Sequence, residues 1–433
     1  MNRRNLDRER RSIMHRTATI GAATLALAAG AGAQLLTGPQ QFAVGDEPVA
    51  ITIRDFDGDG HLDFIVANYF NADISIFYGD GAGNFTDEVF FIAGAPDPLP
   101  LPTRQAVADF DGDGDLDIAT AHGFRATLGY LENNGDRTFG PGVTFAIPEE
   151  ASDLRAADVT GDGELDLVMS HGLIDQMTVL PGAGDGSFGA PIVTPHAIRG
   201  SRFVLADIDG DTHLDILQVN IFRDDEVTLM RGVGDGTFGQ REFFASGGFG
   251  PIDILAHDMN GDGALDAIVS NYIDGHIGIA LGDGTGAFGA PALYQAGLAP
   301  DSISLGDING DGMTDVIVTA YDEPAAQVFL GNGDATLRAP ETYPVEDFAT
   351  SAQAGDFNED GLDDVVVGSS FVDKVNVFLA RSPADLNADG ATDGADLGLL
   401  LGAWGACGQC AADLNADGVV DGADLGVLLG AWD

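Results

Sequence analysis

An all-β ring of seven four-stranded units, followed by a small α-helical domain, is predicted by three features of the sequence. First, a nine-residue acidic string recurs seven times: DFDGDGHLD (55–63), DFDGDGDLD (109–117), DVTGDGELD (158–166), DIDGDTHLD (207–215), DMNGDGALD (258–266), DINGDGMTD (307–315) and DFNEDGLDD (356–364). The copies start 49 to 54 residues apart, and a fixed period of that size marks a repeat architecture. Second, every copy lies in the same frame of short apolar, β-branched runs and Gly-rich turns, which reads as four strands per repeat. Third, residues 385–396 (DLNADGATDGAD) and 413–424 (DLNADGVVDGAD) form a separate duplicated pair, each followed by apolar residues at helical spacing.

The elements follow in chain order. Residues 1–16 carry Arg3, Arg4, Arg8, Arg10, Arg11 and Arg16, and residues 17–30 (TATIGAATLALAAG) are small and apolar. Ala31-Gly32-Ala33 then gives a small-x-small cleavage pattern before Gln34. A basic segment, an apolar segment and such a site read as a bacterial-type secretory signal peptide over 1–33. The expected location is secreted, extracellular or cell-surface. Arg10-Arg11-Ser12-Ile13-Met14 weakly resembles a twin-arginine signal, so Sec and Tat export both stay open. No membrane span is expected after signal cleavage.

Residues 34–382 are the repeat domain. A first strand precedes each acidic string, as in VAITIR (49–54), and a second follows it, as in FIVA, IATA or VVVG. A third strand, such as ISIFYG (74–79), leads into a Gly-rich turn ending in Phe, as in GVGDGTF, or in Leu337 in the sixth copy. A fourth strand completes the unit. Four strands per roughly 50 residues, repeated in a ring, is a seven-bladed β-propeller. The seventh copy lacks its own fourth strand after VNVFLA (375–380), whereas residues 39–54 match a fourth strand running into a first. Residues about 40–44 are therefore expected to complete the last blade and leave no open edge. An open solenoid is the structural alternative.

The recurring loop, strand order and Phe-bearing turn together resemble FG-GAP/VCBS repeats, the blades of integrin-α-like propellers, over roughly residues 40–380. The resemblance implies that the acidic loops join first and second strands on one face. The 2–3 and 4–1 loops would then lie on the opposite face.

The acidic strings offer oxygens at positions 1, 3, 5 and 9, a carbonyl at 7 and usually Gly at 6. That is the donor set of a hard cation, and calcium takes six to eight oxygens. Unneutralised carboxylates at such spacing repel one another. The candidate calcium ligands are Asp55, Asp57, Asp59 and Asp63 in the first loop and Asp109, Asp111, Asp113 and Asp117 in the second. The third offers Asp158, Thr160, Asp162 and Asp166, and the fourth Asp207, Asp209, Asp211 and Asp215. The fifth offers Asp258, Asn260, Asp262 and Asp266, and the sixth Asp307, Asn309, Asp311 and Asp315. The seventh offers Asp356, Asn358, Asp360 and Asp364, with Glu359 at position 4. By charge count the first two should bind tightest. Thr212 replaces Gly at position 6 of the fourth and predicts strain there. The alternative is a set of bare hairpin turns, since Asp-Gly is common in them.

The strings GDGSFG, GDGTFG and GTGAFG match G-x-G-x-x-G, but they recur between strands with no helix, so a turn is expected rather than a dinucleotide site. A formal charge of −50 and a single lysine, Lys374, exclude nucleic acid and anionic membranes as natural partners.

Residues 383–433 carry EF-hand-loop chemistry, with oxygens at positions 1, 3, 5, 9 and 12. The donors are Asp385, Asn387, Asp389, Asp393 and Asp396, then Asp413, Asn415, Asp417, Asp421 and Asp424. Leu397, Leu400, Leu401 and Trp404, and again Leu425, Leu428, Leu429 and Trp432, predict one apolar face per helix, the two faces packing together. The unit resembles a type I dockerin, which implies a cohesin-like or other surface partner. It departs from dockerins at Gly394-Ala395 and Gly422-Ala423, where polar contact residues are usual. Cys407 and Cys410 allow one local disulfide.

The reading is a secreted, calcium-binding propeller without a catalytic site, acting as a binding, adhesion or scaffolding protein tethered by a dockerin-like tail. Its ligand would be a carbohydrate or a protein. Asn68, Tyr69, His122, His171, Asn220, Asn271, Tyr272 and Tyr321 follow the second strands and are the candidate ligand-face residues; turn capping and packing are the alternative. The other functional reading is a polysaccharide-degrading hydrolase or lyase, or a part of such machinery. Against it, no HExxH, GxSxG or P-loop string occurs in the chain.

Overall fold

The computed structural model describes residues 34–92, 102–123, 125–195, 202–219, 225–387, 391–407, 410–415 and 418–432. The signal-peptide reading of 1–33 lies outside them, as do Asn220, Asp389 and Asp417. Among the described residues no helix is long and apolar enough to cross a membrane.

Residues Gln34–Ser382 form one compact unit. It contains seven four-stranded antiparallel sheets. The first runs Pro48–Arg54, Asp63–Asn68, Asp73–Gly79 and Phe85–Ile92. The second strands carry DFIVAN, DIATAH and their equivalents, and every residue in them is buried. This accounts for their continuous apolar runs: both faces of the strand are covered. The first strands of successive blades contact one another all the way round, the seventh meeting the first. They therefore line the axis, with the fourth strands outermost.

Ring closure follows the sequence reading. Strand Gln40–Ala43 pairs antiparallel with Lys374–Phe378, Gln40 opposite Val377 and Ala43 opposite Lys374. The clasp extends further, because Leu36 bridges Ala380 and the Arg381 amide donates to the Leu35 carbonyl at 2.9 Å. The Tyr343 hydroxyl, from the sixth blade, accepts the Leu35 amide at 3.1 Å. These contacts rule out an open solenoid.

The apolar core is divided into seven clusters, one per blade interface. Ile51, Phe64 and Phe77 of the first blade meet Phe357, Val366 and Val375 of the seventh. Position 2 of each acidic string is a buried apolar anchor. Phe56 packs against the second blade, Phe110 against the third and Ile308 against the seventh. The acidic loops thus stand on feet driven into the interfaces.

The unit after Pro383 has two nine-residue helices, α1 (Gly394–Gly402) and α2 (Gly422–Gly430), and a short strand pair, Gly405–Ala406 with Val419–Val420. Asp393 and Asp421 cap the helices, with Asp396 and Asp424 completing capping boxes. Cys407 and Cys410 are joined by a disulfide. The expected apolar stripes are only half buried. Leu400 and Leu428 are fully covered with Val420, but Leu401, Trp404, Leu429 and Trp432 stand exposed. The reason is size: two helices of this length give a core one residue deep, not a whole face.

Candidate metal loops and a charged channel mouth

Each acidic loop is organised by its first and ninth residues. Asp55 accepts the Gly58 amide at 2.8 Å and the Gly60 amide at 3.0 Å, which curls the loop around its carboxylate. Asp63 is fully buried, accepting the Phe56 amide at 2.8 Å and the Gly79 amide at 2.7 Å. The same double contact recurs at Asp215, Asp266, Asp315 and Asp364. The ninth residue therefore clamps the loop's foot to the C-terminal end of the third strand. Burial pushes the carboxyls of Asp63, Asp315 and Asp364 up to about 7 and that of Asp117 to about 6, because a desolvated carboxylate is disfavoured.

The loops bring their carboxylates together. Oxygens of Asp55, Asp57 and Asp63, of Asp109, Asp111 and Asp117, and of Asp207, Asp209 and Asp215 lie within 4.8 Å of one another. In the fifth, sixth and seventh loops Asn260, Asn309 and Asn358 point an amide at the position-5 carboxylate, at 2.9 to 3.0 Å. Thr160 instead turns to Asp166. Two loops carry a basic neighbour that sequence spacing does not reveal. The Arg137 Nε donates to Asp57 at 2.6 Å, and Arg231 pairs with Asp209. The second loop combines four aspartates with no such arginine among the described contacts. In the tail, Asp396 accepts the Asn387 and Asp393 amides, and Asp424 those of Leu414, Asn415 and Asp421.

Thr212 has φ 77°, where Gly60, Gly114 and Gly163 have φ of 94°, 99° and 94°. A β-branched residue there is a genuine outlier. Thr212→Gly should stabilise the protein by about 0.5–1 kcal/mol, read as a higher urea midpoint.

The expected ligand-face residues divide into two groups. Asn68, His122, His171 and Asn271 end second strands and are buried. Asn68 donates to Asp73 and Ser75, His122 meets Thr120 and Thr127, and His171 contacts Thr178 and the Glu150 carbonyl. Asn271 donates to the Ser246 carbonyl. They brace blades from within, because they continue the inward-facing strand instead of leaving it. Tyr69, Tyr272 and Tyr321, one residue further on, are half-exposed. Tyr69 packs on Phe70 and Tyr321 on Phe348.

Tyr321 leads to a site that motif reading missed. A cavity of about 270 Å³ opens at the end of the ring opposite the acidic loops, among Glu47, Arg104, Arg202, Asp301, Tyr321 and Thr350. Its two arginines come from one repeat position near the start of each first strand, whereas Glu47 and Asp301 lie outside that position. Taken in blade order the residues at that position are Ala50, Arg104, Asp153, Arg202, Asp253, Ser302 and Ser351, each paired with the fifth residue of the second strand. In six of the seven first strands the register shifts just before this residue, and such bulges re-aim side chains. Arg202 pairs with Asp253 at 2.8 Å and with Asp301 at 3.4 Å. Asp153 and Asp253 also accept the Phe203 and Ile303 amides of the next blade. The signal was available as alternating Arg and Asp at one repeat position within apolar strands.

This geometry defines a closed seven-bladed propeller with one set of oxygen-rich loops per blade. An FG-GAP-like repeat model matches residues 55–120, 109–169, 258–318 and 307–367, about half of the chain, and the protein belongs to that family. No curated protein matches the chain. Solved structures of low identity share the fold. A BBS1N chain in complex with ARL6DN has 12% identity and a TM-score of 0.58, covering 82% of this chain and 99% of that one. A streptogramin B lyase has 14% identity and a TM-score of 0.56, covering 81% and 100%. The RRP9 WD40 repeats have 12% identity and a TM-score of 0.51, covering 80% and 100%.

Proposed function

We propose that this is a secreted, calcium-binding propeller that serves as a binding or scaffolding protein, holding its ligand on the face opposite the acidic loops. The observation that carries the reading is the convergence of carboxylates at the same place in the first, second and fourth blades. Loops rooted in the interfaces by buried anchors gain a cation's attraction where like charges would otherwise repel. The residues present fit calcium, since the donors are all oxygens. The basic, apolar N-terminus supports export, and the duplicated 12-residue loops support a dockerin-like tail that tethers the protein to a surface partner. Bound calcium would also offset part of the −50 charge.

Calcium titration of the full chain by calorimetry tests this. The expected result is uptake at several sites with dissociation constants of about 0.1–1 mM, the range of extracellular modules. Arg137→Ala should tighten the first loop, because it frees Asp57. No uptake at 10-fold higher concentration would overturn the reading and leave the loops as bare turns.

A further inference from the structure

We propose that the cavity at the channel mouth binds a small hydroxylated monocarboxylate, such as a sugar acid, through Arg104. This deepens the binding reading above and rests on it.

The argument starts from unequal neutralisation of two arginines. Arg202 is satisfied by Asp253, by the Asp301 carboxylate and by the Asp301 carbonyl at 2.7 Å. Arg104 is not. Its Nη1 meets only carbonyl oxygens, those of Thr103 at 2.7 Å and Val49 at 3.5 Å. Its nearest carboxylate, Asp153, stands 3.7 Å from Nε. That carboxylate is already engaged by Arg155 at 2.9 Å and by the amides of Leu154 and Phe203. The Arg104 Nη2 has no hydrogen-bond partner among the described residues. Burial, then the nearby Arg202, pulls the Arg104 guanidinium down to about 10 against the attraction of Asp153, Asp301 and Asp253.

The walls set the rest of the ligand. The strand position that holds Arg104 and Arg202 in two blades is Ser302, Ser351 and Ala50 in the three that complete the ring. The space opposite the arginines is therefore open, and Thr350, Ser370 and Tyr321 border it. Hydroxyls and one aromatic ring suit a polyhydroxylated body. Glu47 and Asp301 also line the cavity and oppose any negative charge on the ligand, a repulsion that the Arg104 contact must outweigh and that disfavours a dianion.

The test is saturation-transfer NMR of the full chain with galacturonate, glucuronate and gluconate, beside galactose and acetate. At least one sugar acid should bind at least tenfold more tightly than galactose or acetate. Arg104→Gln, checked for an unchanged melting point, should lose that binding. Should the variant fail to fold, phenylglyoxal modification of Arg104 in the unaltered protein, read by mass spectrometry, should be slowed by the bound acid. Equal binding of galactose, no binding by any of the three acids at 10 mM, or unprotected Arg104 would overturn the proposal. Failure here would leave calcium uptake intact. Consumption of the sugar acid in the same spectra would instead sink the non-catalytic reading.

Discussion

A chain lacking residues 34–44 should lose about 4–8 kcal/mol of stability and self-associate. Leu35 and Leu36 are 7% and 2% exposed, and Phe42 packs on Phe64, Phe77 and Phe85 at 5.6 to 6.2 Å. Each buried side chain of this size contributes roughly 1.5–3 kcal/mol. Deletion also strips the partner from Lys374–Phe378, creating an unpaired edge beside buried Val375 and Val377. Such an edge recruits a second chain. Urea melts and size-exclusion chromatography check both effects. An unchanged midpoint with a monomeric profile would mean that the last blade does not depend on the clasp.

Much of this ring is legible in the amino-acid sequence because its information is local and repeated. The acidic string itself, the β-branched second strands and the stray fourth strand at 39–54 all announce themselves at fixed spacing. The channel mouth is not legible in the same way. Whether Arg104 or Thr103 faces the axis depends on a register shift inside the first strand, and a period-2 reading cannot locate a bulge. The same limit explains Asn68 and His171, which the spacing places on a loop but which finish a buried strand. Arg137 reaches Asp57 from a turn 80 residues away, and Arg231 reaches Asp209 from the third strand of the same blade, 22 residues on.

Chelating calcium should lower the melting temperature by about 10–15 °C. At free calcium tenfold to a hundredfold above the dissociation constant, each site contributes roughly 1.4–2.7 kcal/mol. Seven loops then supply on the order of 10 kcal/mol or more, and an unfolding entropy of about 2.1 cal/mol/K per residue converts 10 kcal/mol into that shift. The gain should shrink between pH 7.5 and 5. Asp63, Asp315 and Asp364, pushed up to about 7 by burial, take up protons across that window. A carboxyl raised above its unfolded value costs the calcium-free fold stability at high pH, and regains it as the pH falls toward 4. Differential scanning calorimetry with calcium and with EGTA at both pH values checks the sign. Identical melts at pH 7.5 would show that the loops hold no structural ion.

The clasp also imposes a schedule on biosynthesis. Gln41 meets Asn376 across 335 positions of chain, so the earliest-made strand of the ring waits for nearly the last. At about 5–20 residues per second, that wait is roughly 20–70 s. Throughout it the strand has no partner and the ring has two free ends. A protein assembled this way cannot finish folding until its synthesis is all but complete.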